Sequence, residues 1–72
     1  MDQTIRRNPV LTEISLMVAA AAQSQRPIDL RHQTKQIVQR YPNSGMTDYE
    51  ILSLIAELAA QSGLITFNGP AR

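Results

Sequence analysis

The side chains best suited to chemistry lie in one stretch, residues 30–40, which reads LRHQTKQIVQR. Arg31, His32, Lys35 and Arg40 supply cations and an imidazole, Gln36 and Gln39 supply amides, and no acid interrupts them. Guanidinium and ammonium groups bond phosphate oxygens, and Arg or Gln also reach base edges, so nucleic acid is one ligand this set could hold. Three cations release few counterions, so such binding is weak and salt-sensitive unless a second copy doubles the patch. The competing reading is a solvated face. An amphipathic helix must place polar residues outward, and here they are basic.

Catalysis has no residues to carry it. His32 is the one histidine, and no carboxylate is spaced to orient it. There is no cysteine nucleophile, and no serine has a base at readable spacing. Glu50 and Glu57 stand two helical turns apart without a histidine between them, which is not a metal spacing. In SGLITFNG (62–69) the glycines are six apart and no Lys-Ser or Lys-Thr follows, so it is not a phosphate loop. The expectation is a non-enzyme with no cofactor, no metal and no small-molecule substrate.

Size and composition point the same way. The chain has 72 residues, room for a single core, and a domain this small is only marginally stable alone. Its aromatics are Tyr41, Tyr49 and Phe67, so the core is aliphatic and thin. Thin cores are commonly completed by another chain, which favours a homo-oligomer, with a dimer expected. A formal charge of +1 makes whole-molecule attraction to nucleic acid or membrane weak. The opening MDQTIRRNPVLTEISLMVAAAAQSQ has the outline of an export leader. Glu13, however, interrupts the apolar region, and the run 16–22 is short and mostly alanine. No stretch is long enough for a membrane span, and a chain without cysteine fits a cytoplasmic location.

Three helices must position these groups. Residues 1–8 read as a flexible N-terminus in which Asn8 caps a helix whose first residue is Pro9. Val10, Leu11, Ile14, Met17, Val18, Ala21 and Ala22 then recur at helical spacing as far as Ser24, where Pro27 enforces a stop. Leu16 and Ala20 fall on the opposite side of this helix. RPIDL (26–30) reads as a short extended piece whose Asp29 caps the second helix, 30–41. Leu30, Thr34, Ile37, Val38 and Tyr41 form that helix's apolar stripe. Thr47 and Glu50 make a capping box for the third helix, 47–62, and Gly63 suits a left-handed stop. LITF (64–67) alternates as a short strand, and 68–72 is a tail. The expected core joins Ile14, Met17, Val18, Leu30, Ile37, Val38, Tyr41, Ile51, Leu54, Ile55 and Leu58, in one domain over 9–67. No internal repeat is apparent.

The fold class is therefore all-α, a three-helix domain. Helix, extended piece, helix, turn, helix and strand is also the element order of a winged-helix domain without its wing, with Ile28 beside Ile65. No sequence motif accompanies that order, and a plain three-helix bundle with a tail is the alternative. Charge argues against the usual DNA mode, in which the helix after the turn enters the major groove. Residues 47–62 carry Asp48, Glu50 and Glu57 with no base, a net −3, against +3 over 30–41. A basic and an acidic helix on one small surface suit antiparallel self-association. Leu16 and Ala20 would give that interface an apolar centre, and Tyr49, Ser53, Ala56 and Ala60 form the exposed strip of the third helix. The expected function is a small, self-associating protein-interaction or regulatory domain. The alternative is a nucleic-acid-binding regulator of degenerate winged-helix or helix-turn-helix type, using Arg31, His32, Lys35, Gln36, Gln39 and Arg40 with phosphate contacts from Arg6 and Arg7.

Overall fold

In a computed structural model, the backbone is described for residues 2–69 and the side chains for residues 9–69. The order is α1 (Asp2–Ser24), β1 (Ile28–Asp29), α2 (Leu30–Arg40), α3 (Asp48–Gln61) and β2 (Thr66–Phe67). The protein is mostly helical, with three helices and one two-strand bridge. Helix α1 corrects the expected start at Pro9 with Asn8 as its cap, because it continues through Pro9 back to Asp2. Proline removes one backbone donor from a helix. Residues 2–7 contain no glycine and no further proline to break the turns before it. The expected contacts of Arg6 and Arg7, and residues 70–72 of the tail, lie outside what is described.

The other boundaries are local chemistry at work. Asp29 Oδ1 accepts the His32 amide at 3.2 Å and starts α2, as its position before the helix implies. At α3 the capping box is complete: the Glu50 amide donates to Thr47 Oγ1 at 3.1 Å, and the Thr47 amide donates to Glu50 Oε1 at 2.8 Å. Gly63, at φ +72°, closes α3 with bonds from its own amide to Ala60 O and from Leu64 N–H to Ala59 O.

Helix α1 ends in the same way, which reveals a repeat. Gln25, at φ +52°, donates to Ala22 O, and Arg26 N–H donates to Ala21 O. Each of these positions has its counterpart 38 residues later (63 − 25 and 59 − 21 both give 38), and the tetrapeptide AAQS occupies both 21–24 and 59–62. Three residues beyond each left-handed residue stand Ile28 and Thr66, which are partners in the parallel β1–β2 register. Equal spacing from each left-handed residue to its strand thus delivers β1 and β2 side by side, sealed by Ile28 N–H to Ile65 O at 2.9 Å. The expected closeness of Ile28 and Ile65 is observed. The expectation of no internal repeat is corrected: four residues of identity are too few to stand out until the caps align them.

The buried core is Val10, Ile14, Val18, Ile28, Leu30, Ile37, Ile51, Ile55 and Ala59. Met17, Val38, Tyr41, Leu54 and Leu58, expected inside it, are half-buried around it. On α3 the central row is Ile51, Ile55 and Ala59 at four-residue steps, so Leu54 and Leu58 fall on its flank. Ile28, read as a connector, is buried because its strand pairs across the ends of α1 and α3. Thr34 Oγ1 is buried in α2 and has no hydrogen-bond partner among the described residues.

Candidate functional site

An open groove of about 890 Å³ lies between helices α2 and α3. Its α2 wall carries Arg31, His32, Lys35 and Gln39, and its α3 wall carries Asp48 and Tyr49. Half-buried Val38 and Leu52 line it with apolar surface, and Asp29, Asn68 and Gly69 also border it. The stripe that buries Leu30, Thr34 and Ile37 sets this geometry, because it rotates Arg31 and Lys35 away from the core. Tyr49, 77% exposed in the first turn of α3, projects from the lip.

The tail shapes the rim. Gly69 N–H donates to Asp29 Oδ1 at 2.9 Å, so one carboxylate oxygen both caps α2 and holds the chain after β2. A Cβ at position 69 would collide with the Asp29 carboxylate, so only glycine fits there without displacing that side chain. Nothing in the sequence signals this contact across 40 positions. Asp29 was legible as a cap, but its second role was not.

The expected basic set is brought together only in part. Arg31, His32, Lys35 and Gln39 share the groove, whereas Gln36 and Arg40 do not line it. Arg40 turns instead to α1, where its guanidinium pairs with Glu13, and Tyr41 Oη donates to Glu13 Oε1 at 3.4 Å. That pairing removes one cation from the face. Arg31 and Lys35, by contrast, reach no carboxylate among the described residues.

The expected interface residues fall on different surfaces. Leu16 is 65% exposed and Ala20 is exposed, but among the described residues none of α1 lines the groove. On α3, Tyr49 and Ala60 are exposed while Ser53 and Ala56 are half-buried, and Ala56 packs against the core. The strip is therefore open at its ends only. Ile65, 75% exposed, and Phe67 add an apolar patch on the β2 segment that period-two alternation alone did not orient.

Among the described residues, no three His, Asp or Glu side chains are grouped to hold a metal ion. No helix there is long and apolar enough to cross a membrane. Groove, caps and strand bridge together define a small three-helix domain with one cleft of mixed charge. No protein-family model matches the chain, and neither a curated protein nor a solved structure is similar to it.

Proposed function

We propose that this chain is a non-enzymatic interaction or regulatory domain that works through protein contacts and associates with itself. One observation carries the reading: the imbalance between core and surface. Among the described residues the nine buried apolar side chains include no aromatic, while Tyr49 is 77% exposed and Val38 and Leu52 are only half-buried. Single exposed leucines are ordinary, but large apolar side chains around so thin a core are what a second chain would cover. A cytoplasmic setting goes with this reading, since a chain without cysteine draws nothing from an oxidising compartment. Light scattering of the full chain at micromolar concentration tests the proposal. A mass above that of the monomer is expected, and a monomeric mass across the range would overturn it.

A second reading is favoured by the shared wall of Arg31, His32, Lys35 and Gln39. With the order α1-β1-α2-α3-β2, it makes the chain a wingless winged-helix nucleic-acid regulator. Asp48 and Glu57 on α3 oppose that reading, because the helix after the turn would carry them towards phosphates. Duplex DNA should bind with Kd no tighter than about 10⁻⁴–10⁻⁶ M and let go as salt rises. Tight binding that depends on Tyr49 and Ser53 would make the second reading the correct one.

A further inference from the structure

The groove between α2 and α3 carries opposite charges on its two walls. Arg31 and Lys35 stand on the α2 side and Asp48 on the α3 side, all exposed, and none is in an ion pair among the described residues. The remaining groove carboxylate, Asp29, is engaged by the amides of His32 and Gly69. Arg40, which would have extended the basic wall, is held by Glu13.

We propose that this groove is the surface through which two copies of the chain dock, face to face across a two-fold axis. The inference rests on the self-association reading above and names its interface. A two-fold interface must be complementary to itself. Two walls of opposite sign on either side of one cleft meet that condition, because the rotation lays each α2 wall over the partner's α3 wall. Arg31 and Lys35 of one copy then face Asp48 of the other. Tyr49, at 77% exposure beside Asp48, supplies the large amphipathic anchor that interfaces favour, and half-buried Val38 and Leu52 offer it an apolar seat. An acidic peptide or a nucleic acid fits less well, since either would meet Asp48 with like charge.

Sedimentation of the full chain from micromolar to submillimolar concentration decides the matter. Lys35→Glu and Asp48→Lys should each weaken the dimer by roughly a hundredfold, because one close interfacial charge pair is worth about tenfold and the two-fold axis repeats it. Reversing the whole α2 wall with Arg31→Glu and Lys35→Glu, combined with Asp48→Lys, restores opposite walls and should recover the parent affinity, while Leu16→Glu in the parent leaves it unchanged. Circular dichroism checks the fold. Should Asp48→Lys lose helix, Asp48→Asn and Tyr49→Ala take its place, and both should weaken the dimer. A dimer indifferent to every groove variant overturns the proposal. Loss confined to Leu16→Glu moves the interface to α1 and overturns the groove while leaving self-association intact. A chain monomeric throughout overturns both. So does a monomer that binds polyglutamate or duplex DNA through Lys35, because the basic wall would then serve that ligand.

Discussion

Gln25 and Gly63 occupy equivalent left-handed positions, at φ +52° and +72°, yet only one of them is glycine. The left-handed region costs a residue with a Cβ about 1–2 kcal/mol. Glycine escapes that cost but loses more chain entropy on folding, by roughly 0.5–1 kcal/mol. Gln25→Gly should therefore stabilise the fold by a net of up to about 1.5 kcal/mol. Gly63→Ala is the mirror experiment. No heavy atom lies within 4 Å of where its Cβ would stand, so it tests backbone strain without a steric clash. It should cost about 1 kcal/mol. For a domain this small, 1 kcal/mol moves Tm by roughly 4–8 °C, which thermal melts resolve easily. Urea denaturation of parent and both variants should show the midpoints shifting in opposite directions at constant slope. A destabilised Gln25→Gly would refute the reasoning, since it would mean that the Gln25 side chain contributes more than its backbone conformation costs.

Three further outcomes follow from the packing. Asp29→Ala removes both the α2 cap and the acceptor for Gly69 and should cost about 2–4 kcal/mol in urea, whereas Asp29→Asn keeps a capping oxygen and should cost far less. The His32 and Gly69 amide resonances should shift together in the alanine variant. Ile55→Ala, at a fully buried position, should cost on the order of 2–5 kcal/mol, a large part of the stability of so small a domain. Leu54→Ala, on the half-buried flank, should fall at or below the lower end of that range, and equal losses would contradict the observed rotation of α3. Arg40→Ala breaks a pair whose side chains are 56% and 31% exposed, so its effect should stay below about 1 kcal/mol and shrink in high salt.

Much of the fold was legible because its signals are short-range. The capping box of Thr47 and Glu50, the Asp29 cap, the Gly63 stop and the apolar stripe of α2 each act within a turn or two of chain, so residue type and spacing suffice to place them. The rotation of α2 followed from that stripe, and with it the outward placement of Arg31 and Lys35. The start of α1 was misjudged because proline suits a first turn better than an interior. That preference is statistical, and Pro9 here lies inside the helix.

What only the tertiary structure decided are contacts between residues far apart in the chain. Arg40 looked like part of one basic face until α1 brought Glu13 against it, across 27 positions. Gly69 looked like a tail residue until β2 carried it to Asp29. The groove lies where α2 and α3 pack together with Val38 and Leu52 left half-covered, and no local preference specifies how two helices pack. Local hydrogen bonds and periodicity act over a few residues and are written in order along the chain. Which helix end meets which, and which charges are thereby paired or left facing water, depends on burying all three apolar stripes at once.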